Sequence, residues 1–170
     1  MHKKRILKVS SIYVIGGLND NGMGVVLKHK TISTIVGHAQ HVMRSLGKGH
    51  RENVYCKALQ ISFGEENMTF RSEVCCPIFF KGKIIAHGRA DFVISNVIIE
   101  VKANRNPIDI ASDQLKKYLK SLSDLERTDY IGVILNFNQN TGKVDVLTQN
   151  PVVKHNLKTV SRFFVKKTRG

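Results

Sequence analysis

Acidic residues, cysteines and long apolar runs are all in short supply here, and each shortage removes a class of protein. Only 13 Asp and Glu stand against 27 Lys and Arg, a formal net charge of +14 in 170 residues. Such an excess favours a polyanionic partner, nucleic acid first and an anionic membrane surface second. Three cysteines (Cys56, Cys75 and Cys76) make no disulfide framework, and no Cys-x-x-Cys pair suggests zinc. A reducing compartment follows, so the expected location is intracellular, cytoplasmic or nuclear. No apolar stretch is long enough to span a bilayer, and Lys8 interrupts the apolar residues of the basic N-terminus, which lacks a signal-peptide core. Repeats and low-complexity tracts are also missing. What remains is the composition of an ordinary globular chain, 42% hydrophobic and 24% charged, of a length that suits one core.

The few carboxylates are informatively placed. Arg89-Ala-Asp-Phe-Val-Ile94 and Val97-Ile-Ile-Glu-Val-Lys-Ala103 read as strands separated by Ser95-Asn96. A two-residue turn there puts Ile94 opposite Val97 and, counting outward, Asp91 opposite Glu100 and Arg89 opposite Lys102. Directly facing like charges destabilise a hairpin, so this pair calls for a cation. Lys102 shares a strand face with Glu100. Two carboxylates with an ammonium beside them suit a hard divalent ion with oxygen ligands.

Around this hairpin the pattern predicts helices at Ser33–Leu46, Glu52–Gly64 and Asp109–Leu122. Ser33 or Thr34 caps the first and Asp109 the third. The first carries an apolar face of Ile35, Ala39, Val42, Met43 and Leu46. The second offers Val54, Tyr55, Ala58, Leu59 and Ile61 for burial. His38 and His41 share a helix face without a third ligand at suitable spacing, so they read as surface or core-edge residues. Strands are expected at Thr69–Phe80, Lys83–Ile94, Tyr130–Phe137 and Lys143–Leu147, with turns at Lys81-Gly82 and Asn140-Thr-Gly142, and one further strand within residues 5–15. The Gly-rich segment 16–24 reads as a connector, since no Lys-Ser or Lys-Thr follows it. The order of elements fits an α/β (α+β mixed) domain with helices on a mixed sheet. The expected organisation is an N-terminal extension over 1–30, a domain over 31–153 and a basic segment over 154–170.

Leu46-Gly-Lys-Gly-His-Arg-Glu-Asn-Val-Tyr55 resembles the signature of the GxxExxY family, with Gly49, Glu52 and Tyr55 at its named positions. That family lies within the PD-(D/E)XK, or restriction-endonuclease-like, nucleases. Arg89-Ala-Asp91 resembles its metal-binding aspartate segment, Ile99-Glu-Val-Lys-Ala103 its Glu-x-Lys motif, Gln114-Leu-Lys-Lys-Tyr118 its Gln-x-x-x-Tyr helix and Gly132–Phe137 its last core strand. The likeness covers roughly residues 33–150, and five motifs in order make it specific. Lys48-Gly49-His50-Arg51 departs from the pattern, being more basic than the apolar segment that usually precedes the glutamate.

The resemblance implies a central four-stranded mixed sheet flanked by helices, and a Mg²⁺- or Mn²⁺-dependent nuclease acting on DNA ahead of RNA. It implies Asp91, Glu100, Glu52 and the Val101 backbone carbonyl as metal ligands. Lys102 and Gln114 join the three carboxylates in catalysis. Tyr118, Arg89, Lys48 and Arg51 are the expected nucleic-acid contacts near the site. Lys154, Lys158, Arg162, Lys166 and Lys167 form an arm for phosphates, whose binding weakens with salt. Tyr55 is expected to be structural. A homodimer is compatible with the resemblance and no membrane is expected. The alternatives are a non-catalytic nucleic-acid-binding protein that keeps the fold, and, more remotely, a peripheral membrane protein held by the tail and Phe163-Phe164.

Overall fold

A computed structural model describes residues 7–9, 12–14, 30–105 and 109–149. The glycine-rich segment, Pro107 and the basic C-terminal residues from Lys154 onward lie outside the described residues. Two short strands, β1 (Leu7–Val9) and β2 (Ile12–Val14), pair antiparallel where one strand was expected. Helices α1 (Lys30–Leu46) and α2 (Glu52–Glu65) follow. Next come β3 (Arg71–Phe80), β4 (Lys83–Ile94), β5 (Val97–Lys102), helix α3 (Asp109–Glu126), β6 (Ile131–Phe137) and β7 (Val144–Gln149).

The sheet has five strands in the order β3-β4-β5-β6-β7 rather than four. The β3–β4 and β4–β5 hairpins and the β6–β7 hairpin are antiparallel, and β5–β6 is parallel. A parallel pair needs a long crossover, which α3 supplies. The extra member is β7: its short alternating run joins the sheet edge because the turn after β6 is tight. Asn138 makes that turn, its Oδ1 accepting the N–H groups of Asn140 and Thr141 at 2.9 and 3.1 Å.

The sheet divides two apolar layers. One face packs on α1 and α2 through Phe92, Ile99, Val101, Val133, Leu135 and Phe137. The other packs on α3 through Val93, Ile98, Ile134, Leu115 and Leu122. β6 is buried along its whole length, as a near-continuous apolar run between two helical layers must be. Gly132 lets α3 approach: a Cβ there would lie 2.7 Å from Leu115 Cδ2, inside van der Waals contact.

Three helix expectations are corrected. α1 begins at Lys30, so Ser33 and Thr34 lie inside it and cap nothing; Thr34 Oγ1 donates back to the Lys30 carbonyl at 3.1 Å. α2 buries Tyr55, Leu59 and Phe63, whereas Val54 and Ile61 face outward. Positions 55, 59 and 63 recur every four residues, and the neighbouring β-branched residues fall off that stripe. α3 runs past Leu122 to Glu126, where Glu126 pairs with Arg71 at 2.9 Å and accepts the Tyr130 hydroxyl. His38 is buried rather than peripheral, held by Ser62 Oγ at 2.7 Å.

Candidate active site

Ser95, with φ of 51°, turns the chain between β4 and β5, and Ile94 pairs with Val97 as the two-residue turn requires. The register continues through Val93↔Ile98 and Phe92↔Ile99 and then stops. Asp91 is the next residue, and its Oδ2 accepts the Val101 N–H at 2.7 Å. On its other side the β3–β4 register also skips it, passing from Ser72↔Phe92 to Val74↔Ala90. Glu73, the residue skipped on β3, has φ of 54°, a left-handed conformation that is costly for a residue with a Cβ. Ala90 and Val93 consequently face the α3 layer together, while Phe92 and Ile94 face the other. One extra residue in the strand, Asp91, thus changes which face its neighbours take, as a bulge does.

Glu100 on β5 is 2% exposed, a rare position for a carboxylate. Its Oε1 accepts from Lys102 Nζ at 2.6 Å. Its Oε2 is buried and has no hydrogen-bond partner. Burial, and then the charge of Asp91, push the Glu100 carboxyl up to about 7. Asp91 is also raised, by burial first, against the pull of the Val101 N–H and Lys102. Lys102 shows the complementary effect: burial alone would lower it, but the bond to Glu100 and the charges of Glu100, Glu52 and Asp91 raise it.

Glu52 completes the group from the opposite element. It opens α2, where a carboxylate meets the positive end of the helix. Its Oε1 lies 3.5 Å from Lys102 Nζ, and its side chain is 42% exposed, the open side of the cluster. One helical turn on, the Cys56 thiol is pushed up by burial and by the charges of Asp91 and Glu52, which leaves it unreactive beside the carboxylates.

The other expected residues fall in different places. Tyr118 is buried, and its hydroxyl accepts from Gln114 Nε2 at 2.7 Å and from the Arg89 N–H at 3.3 Å. Its ring lies on Gly88, where any Cβ would collide with it. Gln114 is therefore joined to Tyr118 rather than to Lys102. Arg89 is not opposite Lys102: it pairs with Cys75 on β3, and its guanidinium meets Glu73 at 2.9 Å. The interruption at Asp91 removed the register on which that facing pair depended. Lys48 and Arg51 are exposed in the α1–α2 loop, with Lys48 Nζ 3.4 Å from the Asn140 carbonyl.

Residues that sequence reasoning passed over hold the cluster's surroundings. Gln139 Oε1 accepts the Gly49 N–H at 2.6 Å, and its Nε2 donates to the Phe137 carbonyl and to the Tyr55 hydroxyl. The Tyr55 ring stacks on Phe137 at 4.2 Å, and its hydroxyl donates to the Gly47 carbonyl. Together these bonds fix the loop that leads into Glu52. Asn136, fully buried opposite Lys102 in the parallel register, accepts the Asn104 N–H at 2.9 Å and donates to Asp145. An asparagine at the end of the apolar run Ile131–Leu135 was the visible sign of a bound polar group.

The donor set suits a hard divalent cation. Two carboxylates with raised proton affinity, one carrying an orphaned buried oxygen, gain most from a compact positive charge. Among the described residues no three His, Cys, Asp or Glu side chains close into a metal cage. An ion with few protein ligands and several waters, such as Mg²⁺, needs no such cage. Also among the described residues, no helix is long and apolar enough to cross a membrane.

Among curated proteins, none matches the chain significantly. The model of one family, described as the PD-(D/E)XK nuclease superfamily, matches residues 29–161. That span runs from the start of α1 past β7 and includes Glu52, Asp91, Glu100 and Lys102. With the mixed sheet, the aspartate at a break in β4 and the Glu-x-Lys on β5 all inside the matched region, the chain belongs to the PD-(D/E)XK nuclease superfamily.

Proposed function

We propose that this protein is a metal-dependent nuclease that hydrolyses phosphodiester bonds in DNA, and that it belongs to the GxxExxY branch of its superfamily. The observation that carries the reading is the convergence of Asp91, Glu100 and Glu52 on Lys102, with Glu100 Oε2 buried and unpartnered. Asp91 and Glu100 would hold Mg²⁺ or Mn²⁺, with the Val101 carbonyl as a further oxygen. Glu52 would reach the ion directly or through water. When bound, the ion makes water a stronger nucleophile and neutralises charge on the phosphoryl group.

Lys102 has two duties. Its ammonium orients the attacking water, and it offsets the charge that builds on the phosphate oxygens in the transition state. Glu52, on the exposed side of the cluster, is placed to accept a proton from that water. Gln114 acts through Tyr118, whose hydroxyl fixes the Arg89 backbone beside Asp91. Lys48 and Arg51 flank Glu52 and supply cations for the sugar-phosphate chain, and the basic residues from Lys154 to Lys167 add a sequence-independent phosphate contact. A homodimer would allow both strands of a duplex to be cut.

The test is Mg²⁺- or Mn²⁺-dependent cleavage of single- and double-stranded DNA by the wild type, Glu100→Ala and Lys102→Ala. Each substitution is expected to lower the rate at least about a hundredfold. Cleavage unaffected by both would assign the activity elsewhere. Salt-sensitive binding without turnover in any divalent ion would favour a non-catalytic nucleic-acid-binding protein.

A further inference from the structure

The β3–β4 hairpin continues well beyond the body of the domain. α3 covers it as far as Pro77, whose carbonyl accepts from Ser121 Oγ at 2.7 Å. From Ile78 to His87 every residue is exposed. This uncovered end is apolar: Phe79 is 49% exposed, Phe80 60%, Ile84 53% and Ile85 63%. Lys81 and Gly82 both have positive φ, of 48° and 75°, the signature of a tight two-residue turn whose twist suits a hairpin. Phe80 pairs with Lys83 and Phe79 with Ile84, so the two rings stand on opposite faces. A contiguous apolar surface of this kind in water marks an interaction site.

Charge decides the partner. From Val74 to Ala90 there is no carboxylate, while Lys81, Lys83 and Arg89 are present. Lys81 Nζ lies 5.5 Å from the centre of the Phe80 ring, a ring and a cation held side by side. Paired rings and ammonium groups match the two parts of an unpaired nucleotide, a base with open faces and a phosphate. The lysines occupy the extreme tip, so they would have to precede the rings into a bilayer, which opposes membrane insertion. Tip-to-tip packing of two copies would bring these same cations together. A duplex hides the faces of its bases in the stack, so single strands are the better fit.

We propose that the tip of the β3–β4 hairpin, through Phe79 and Phe80 with Lys81 and Lys83, is a stacking platform for single-stranded nucleic acid. This rests on the nuclease reading for its meaning, since β4 also carries Asp91. At ~3.3 Å per residue, the strand from Asp91 to Lys83 spans about 26 Å. The platform therefore meets the substrate several nucleotides from the bond to be cut, and it directs the site toward substrates with an unpaired stretch there.

The experiment is fluorescence anisotropy with a labelled single-stranded oligonucleotide of about 20 nucleotides, in excess chelator so that no cleavage intervenes. Phe79→Ser/Phe80→Ser should bind at least about tenfold more weakly than the wild type, and Phe79→Tyr/Phe80→Tyr should retain most of the affinity. Lys81→Gln/Lys83→Gln, which leaves the apolar hairpin intact, should lower the slope of log affinity against log salt by about two. Wild-type affinity in both the serine and the glutamine variants would overturn the proposal. A serine variant that instead lost binding to anionic vesicles, or dissociated a dimer, with oligonucleotide affinity unchanged, would overturn it too. Because binding is read without metal, the two readings can fail separately. Absent cleavage with ring-dependent binding removes only the nuclease reading, and cleavage with ring-independent binding removes only the platform.

Discussion

Glu100→Gln should make the metal-free protein more stable at pH 8 and leave it nearly unchanged below pH 4.5. Glu100 is 2% exposed, and burial with the Asp91 charge raises it from 4.5 to about 7. A carboxyl raised in the fold binds its proton more tightly there than in the unfolded chain. Stability is therefore greatest when that proton is on, and it falls as the pH rises from 4.5 through about 7. The full cost of the ionised group above that window is on the order of 3 kcal/mol. Glutamine never ionises, and its oxygen can still accept from Lys102. The gain at pH 8 should thus approach a few kcal/mol, a rise of several degrees in the thermal midpoint. Thermal unfolding of both proteins between pH 4 and 8.5 in chelator checks it. The same substitution should remove cleavage, so this is a position where the protein gives up stability for a carboxylate.

Lys102→Met carries the opposite sign and the largest expected loss. Lys102 is 16% exposed and bonds to Glu100 at 2.6 Å and to Glu52 at 3.5 Å. Without it, Glu100 and Asp91 keep their mutual repulsion with no cation in contact. Removing one partner of a buried pair costs about 3–5 kcal/mol. Below pH 6 protonation of Glu100 should absorb part of that loss. Adding Glu100→Gln should restore most of the stability at pH 8, because the stranded charge is then gone. A double-mutant cycle by chemical denaturation measures this coupling. Cleavage should stay absent in the double variant, which separates the electrostatic role of Lys102 in folding from its role toward phosphate.

The hairpin around Ser95 was legible because its two strands are short, apolar and joined by a two-residue turn. Ile94↔Val97, Val93↔Ile98 and Phe92↔Ile99 follow from that alone. Asp91 and Glu100 come next, and there the simple count ended. A regular ladder would set two carboxylates face to face; the chain instead breaks the ladder, turns the Asp91 carboxylate onto the Val101 N–H and puts Glu73 at positive φ. Nothing in a period-two pattern announces that break, which is why Arg89 was expected opposite Lys102 and lies opposite Cys75. Glu52 reaches the cluster across more than thirty positions of sequence, so only its family resemblance pointed there. The bonds of Gln139 and Asn136 are longer-range still. A buried asparagine shows that a partner exists without saying which. The exposed rings of Phe79 and Phe80 were invisible for the converse reason. An apolar strand reads the same whether or not a helix covers it.

The central claim is that the carboxylates of Asp91 and Glu100 are held together against their repulsion to receive a divalent cation. Thermal unfolding at pH 7.5 during a Mg²⁺ or Mn²⁺ titration tests this most directly. The wild type should gain stability with metal concentration as a ligand-bound native state does, and Asp91→Asn and Glu100→Gln should start from a higher midpoint and gain little or nothing. An equal metal-induced rise in all three proteins, or none in the wild type, would contradict it.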